Sequence, residues 1–282
     1  MRGCKRARLY CPAQAQQTTH DPESFAVRTH ISTIARFTLL EAWRTRLPFL
    51  AAGVLAFVWA GSLFIHGIAI TESERMQWSF FAASARLASV FMLALYITSS
   101  MVREFNEKGL ELVLAIDLPR SSYILGKLAG FIGVSLLLAI LAALPLTAFV
   151  PVSVGVVWTT SLFLELVIVS ALSVFCIVSF NQVLPAFTLI MGFYLLARTI
   201  SAMRLMSDTP LLGTMGGTRP LIDFGVDALA YVVPALDRFA VTEWIAAKTV
   251  DTDVLGPITL QTVISVALLV AAALFDFYRR EI

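Results

Sequence analysis

Six apolar runs, each about as long as a bilayer is thick, leave this 282-residue chain very few folds to choose from. They lie near residues 47–70, 80–101, 128–150, 156–180, 183–203 and 257–277. An α-helix rises about 1.5 Å per residue and the hydrocarbon layer is about 30 Å thick, so one helical crossing takes roughly 20 mostly apolar residues. Inside lipid no water satisfies backbone N–H and C=O groups. A spanning segment is therefore a helix, which pairs them within itself, or a strand of a closed barrel. Barrel strands are about ten residues long and alternate in polarity, and these runs do neither. Composition agrees, with 58% hydrophobic and 14% charged residues and a mean hydropathy of +0.82; soluble domains carry about 25% charged residues. The expected fold is an all-α integral membrane protein with six transmembrane helices.

Lysine and arginine accumulate in loops that stay in the cytoplasm. With the N-terminus inside, Arg2 through Arg46 supply eight positive charges, residues 102–127 four, and Arg279 and Arg280 two; the outer side collects Arg75, Arg204, Arg219, Arg238 and Lys248. Both termini are thus expected in the cytoplasm, and the chain in the cell inner (plasma) membrane. Arg86 and Arg198 fall near the outer ends of their spans, where a long side chain can snorkel to the headgroups. The net charge of +2 follows this topology. No basic stripe with interleaved aromatics lies beyond the first fifty residues, which sets nucleic acid aside as a partner.

Residues 1–30 are polar, lack the continuous apolar core of a secretory signal, and read as a disordered cytoplasmic tail. Residues 31–46, ISTIARFTLLEAWRTR, read as an interfacial lead-in helix, with Ser32 as a possible cap, Trp43 at the interface and Glu41 breaking the apolar face. Pro48 opens the first span. The outer loop, residues 204–256, is the long one; glycines at 213, 216 and 217 and Pro220 precede an apolar stretch, 221–233, expected to form a short re-entrant or surface helix.

Chemistry-bearing groups are sparse. Cys4, Cys11 and Cys176 have neither metal-ligand spacing nor an even-numbered framework. His20, His30 and His66 are isolated, so the chain holds no HExxH zinc helix and no catalytic triad is in view. Asp276, at the end of the last span, is the aspartate nearest lipid. Glu165 falls in the middle of the fourth span, where an unpaired carboxylate is costly. It reads either as a pathway-lining, proton-sensitive residue or as a neutral acid bonded to a neighbouring helix. No catalytic residue, metal or cofactor is expected.

Residues 103–127, REFNEKGLELVLAIDLPRSSYILGK, break the pattern. Charged residues Arg103, Glu104, Glu107, Lys108 and Glu111 precede an apolar run too short to cross a membrane. Pro119 ends that run by pushing its predecessor out of the helical region, and Ser121 is placed to cap the next helix. A short cytoplasmic helix with one apolar side can lie on the membrane or fit a groove on a soluble partner.

These residues resemble the cytoplasmic loop of type-2 ABC exporter permeases. The resemblance rests on Glu104 or Glu107, Gly109, Glu111, the apolar Leu112 to Leu114, Pro119, Arg120, Gly126 and Lys127. A looser likeness lies in PALDRFAVTEW, residues 234–244, which resembles the segment before that family's last span. Asp117 departs from the pattern. The resemblance implies a permease subunit whose 103–118 segment is a coupling helix, docking a separate cytoplasmic ABC ATPase that binds the ATP, beside a second, like or unlike, permease subunit. The chain itself has no phosphate-cradling loop, since its one Gly-Lys, at 126–127, is followed by Leu128. The rival reading is a non-transporting membrane scaffold or force-transmitting subunit.

Overall fold

The computed structural model describes residues 22–68, 73–106, 120–147, 149–208, 236–239 and 255–279. All regular structure among them is helical: α1 (Pro22–Arg44), α2 (Leu47–Ile68), α3 (Ser73–Asn106), α4 (Arg120–Thr147), α5 (Val152–Phe180), α6 (Val183–Asp208), a 3-10 turn (Leu236–Phe239) and α7 (Leu255–Arg279). Five of them, α2, α3, α4, α5 and α7, are long and apolar enough to cross a membrane. The chain is a multi-pass, all-helical membrane protein. In α6 the corresponding apolar stretch, Val183–Thr199, is shorter, and Arg198 ends its uncharged run.

The helices do not share the burden of burial equally. In α5, 83% of the most apolar window is buried, against 22% in α2 and 17% in α7. Accordingly α5 is the central post, touching α3, α4, α6 and α7, while α2 leans on α3 and α4 and α7 mainly on α5. A helix that is apolar all round suits an enclosed position. The core to which it contributes also holds Leu93 and Ile97 of α3, Phe131 and Leu138 of α4 and Ala186 of α6. The exposed faces of α2 and α7 carry Phe57, Phe64, Val263 and Leu268, side chains that lipid accepts as readily as protein.

Two short connections explain how neighbours are held. Between α1 and α2 only Thr45 and Arg46 intervene, and Arg46 adopts the left-handed φ of 58° that separates the two helices; Pro48 then sits in the first turn of α2, where a missing N–H costs nothing. Between α5 and α6, Asn181 takes the left-handed conformation, φ 54°, and its N–H closes the helix end on the carbonyl of Ile177. Close by, Ser179 Oγ donates to Asp276 Oδ2 at 2.7 Å, tying α7 to α5 at that end.

Most boundaries differ from expectation because the helices outrun the apolar runs, although α2 is described only to Ile68 and α4 stops at Thr147, short of the expected 70 and 150. The second and third spans, expected at 80–101 and 128–150, belong to helices beginning at Ser73 and Arg120. The lead-in helix starts at Pro22, so residues 22–30 are helical rather than part of a disordered tail. Proline at a first helical position followed by Glu23 is a helix-start signal, and hydropathy does not register it. Residues 1–21, the 221–233 stretch and most of the 204–256 loop lie outside the described residues.

The lead-in helix is not merely laid on a surface. A Cβ built on Gly126 would come within 2.9 Å of Ile34 Cβ, and one on Gly130 within 2.5 Å of Thr38 Cβ. Two glycines four apart thus let α1 lie against α4 almost backbone to backbone, the small-residue contact familiar from helix pairs in membranes. The pairs advance together, 34 with 126 and 38 with 130, so the two helices run in the same direction. Thr38 is 1% exposed, and its hydroxyl is satisfied by the Ile34 carbonyl at 3.0 Å.

Candidate functional site

Two clusters of charged side chains join the helices, one at the C-terminal end of α3 and one near its middle. The first gathers at the junction of α1, α3 and α4. Glu41, the residue that broke the apolar face of the lead-in helix, accepts from Ser100 Oγ at 2.8 Å and from Arg103 Nη2 at 2.5 Å through one oxygen. Its other oxygen lies 3.7 Å from Lys127 Nζ, which in turn lies 2.5 Å from Glu104 Oε2. Two acids meet two bases. The acids are about a quarter exposed and the Lys127 side chain is 7% exposed. Glu104 stands in the last turn of α3 and Lys127 two turns into α4, so their contact clasps the two ends of the 107–119 segment.

This arrangement redistributes the residues singled out in the sequence. Glu104 and Lys127 are brought together. Gly126 is buried against Ile34 and Lys127 is buried against acids, so both lie within the bundle. Arg120 begins α4. Glu107, Gly109, Glu111 and Pro119 lie outside the described residues.

The second cluster is sealed inside the bundle. Glu165, at the middle of α5, is 0% exposed. Its Oε2 accepts from Arg86 Nη1 of α3 at 2.7 Å. Its Oε1 accepts from the Tyr194 hydroxyl at 2.9 Å and from Arg198 Nη1 at 3.3 Å, both on α6. Tyr194 and Arg198 are four apart and therefore share a helix face. Arg86 is held on every side: Nη2 reaches Ser161 Oγ at 3.4 Å and the Trp158 carbonyl at 3.5 Å, and the guanidinium lies 5.0 Å from the centre of the Trp158 ring. A cation over an indole face gains from the ring's negative quadrupole, and more so out of water. The Ser161 hydroxyl in turn donates a hydrogen bond to the carbonyl of Phe239 in the 3-10 turn. That turn buries Leu236 and Phe239 against α5 and α6, so part of PALDRFAVTEW closes over the ion pair.

Sequence reading found Glu165 and missed its partners. Arg86 does not snorkel; it is 2% exposed and turns inward. The reason is energetic: a buried carboxylate offers a cation a nearer partner than the headgroups do, and neither charge is tolerable there alone. The available signal was three charges of complementary sign, Arg86, Glu165 and Arg198, in otherwise uncharged stretches of three spans. Glu165 is bonded to neighbouring helices on two sides, to Arg86 of α3 and to Tyr194 and Arg198 of α6. Among the described residues no group of three His, Cys, Asp or Glu could hold a metal ion, and Cys176 is a free, buried thiol.

No family model matches the chain, and no curated protein matches it.

Proposed function

We propose that this protein is the transmembrane permease subunit of an ATP-driven exporter of the type-2 ABC kind. In this reading α6 is a sixth span, both termini face the cytoplasm of a cell inner (plasma) membrane, and a separate ABC ATPase docks on residues 103–118. A second permease subunit, identical or not, completes the bundle, and lipid surrounds it. What supports the reading is the clasp at the base of the docking segment. Glu104 with Lys127 fixes the distance between the ends of α3 and α4, and Glu41 adds α1 to the same knot. A push on 107–119 therefore acts on three helices as one body.

The work has to come from differential binding: an ATPase that binds both arrangements of the bundle equally shifts neither. Glu104, Glu107, Gly109, Glu111, Pro119 and Arg120 form the surface that meets it, with Gly109 giving a turn or close approach that a larger side chain would block. Gly126 and Lys127 hold that surface in place. Glu165, bridging α3, α5 and α6, lies where the two arrangements would differ, and that is its possible place on the pathway.

The test is purification of the chain from its native membranes in mild detergent with quantification of co-purifying soluble ATPase. Near-equal amounts of an ATPase, lost on changing Glu107 and Glu111 to alanine, are expected. Gly109→Val is expected to insert normally and to uncouple ATP hydrolysis from activity. A preparation without ATPase, reproduced after cross-linking, would overturn this reading in favour of a membrane scaffold. An ATPase that binds and hydrolyses without any substrate crossing the bilayer would identify a force-transmitting subunit.

A further inference from the structure

Along residues 31–50 the acid and the bases part company. Glu41, the one acid in that stretch, turns inward to Ser100, Arg103 and Lys127. Arg36, Arg44 and Arg46 are all exposed. Arg36, Leu40, Trp43 and Arg44 stand at i, i+4, i+7 and i+8 and so share one face of α1, opposite the face on which Thr38 and Ala42 are buried. That pattern is inverted relative to a helix in water. The small side chains are inside and the large ones outside: Leu40 is 60% exposed and Trp43 59%, with Phe37 beside them at 68%. Acyl chains accept such a surface, and water does not.

Arg46 adds an independent sign. At φ 58° it holds a conformation that suits glycine and costs an arginine strain. Its backbone does all the joining there: the N–H donates to the Trp43 carbonyl at 3.2 Å, and the carbonyl accepts from the N–H groups of Phe49 and Leu50, both at 3.1 Å. A glycine would make the same bonds without the strain. The exposed side chain is therefore what the position retains.

We infer that the outer face of α1, continued by Arg46 at the foot of α2, binds the anionic phospholipid headgroups of the leaflet it faces. Arginine interleaved with tryptophan at the end of a span is the composition of the headgroup layer, and α2, long and apolar enough to span, begins one residue after Arg46. The aromatic border crosses the turn, since the Trp43 ring meets that of Phe49 edge-on, centroids 6.5 Å apart. A guanidinium fork matches the oxygens of a phosphodiester, while Leu40 and Phe37 suit the acyl chains beneath. A second copy of the same face would set three arginines against three. The surface depends on the chain's being a membrane protein and not on its being an exporter.

The full chain, purified in neutral detergent, is given equal amounts of phosphatidylglycerol and phosphatidylcholine and examined by native mass spectrometry; its thermal midpoint is followed in the same detergent without lipid. Retention of phosphatidylglycerol over phosphatidylcholine is expected. Arg36→Gln and Arg46→Gly should each lower that preference about fivefold, and the midpoint without lipid should be no lower than in the unmodified chain. Arg279→Gln, which removes an exposed arginine from the end of α7, should leave the preference unchanged. Equal retention of the two lipids by the unmodified chain would overturn the inference. So would an equal fall in Arg279→Gln, which would show a general attraction to positive charge and no site on α1. A midpoint lowered without lipid in both Arg36→Gln and Arg46→Gly, or failure of both to fold, would overturn it as well, because the arginines would then be held by groups of the chain itself.

Discussion

Arg86 and Arg103 stand on the same helix, seventeen residues apart or about 26 Å along its axis, and they do opposite things. Arg103 is 52% exposed and pairs with Glu41, itself partly wet. Arg86 is 2% exposed and pairs with a Glu165 that solvent never reaches. In the wet pair Coulomb attraction is screened and competes with the entropy of two long side chains, so removing one partner leaves a charge that water accepts. In the dry pair removal strands the other charge in a low-dielectric bundle. The same residue type on one helix is thus a fastener that can be undone at its C-terminal end and an obligatory joint near its middle.

The largest expected effect breaks the dry joint. Arg86→Leu or Glu165→Leu alone should cost about 3–5 kcal/mol, read as a collapse of thermal midpoint and folded yield in detergent, and the double substitution should recover much of the loss. A double no better than the singles would show that the pair is not acting as a unit. Arg103→Leu, the matching change in the wet pair, should cost less than about 1 kcal/mol, and that cost should shrink further in 1 M salt, where the Debye length is about 3 Å. Equal penalties in the two pairs would end the contrast.

Next in size is the seat of the lead-in helix. Gly130→Val should cost about 1–3 kcal/mol by forcing α1 off α4, because a Cβ there already meets Thr38 at 2.5 Å. Gly53→Ala is the control, since nothing lies within 4 Å of a Cβ at that position. Protease sensitivity of α1 should rise in the first variant and stay unchanged in the second.

A smaller effect than that of the glycine seat belongs to the turn over the joint. Ser161→Ala removes the bond to the Phe239 carbonyl and a contact of Arg86, and should cost about 1 kcal/mol in thermal stability. A loss as large as that of Arg86→Leu would mean that the turn, and not Glu165, holds the arginine in place.

Hydropathy alone identified a multi-pass helical membrane protein and overlapped each of its apolar helices, although α3 and α4 start at Ser73 and Arg120 rather than at 80 and 128, because the bilayer's thickness and the need to pair backbone groups act on each segment separately. Local signals carry what hydropathy does not: the Pro22 start lies outside any apolar run and was expected to be tail, yet Pro-Glu marks it. Glu165 was legible as an anomaly for the same reason, being one charge judged against one segment. Its meaning was not. Whether an arginine near a span's end goes up to the headgroups or sideways to a carboxylate depends on which helix stands beside it, and α3, α5 and α6 come together only in the folded bundle. Gly126 likewise reads in sequence as part of a Gly-Lys ending to a cytoplasmic loop, and only the packing of α1 on α4 shows what it makes room for. Pair energies over a few ångströms decide these things, and a linear sequence carries no distances between residues 79 apart.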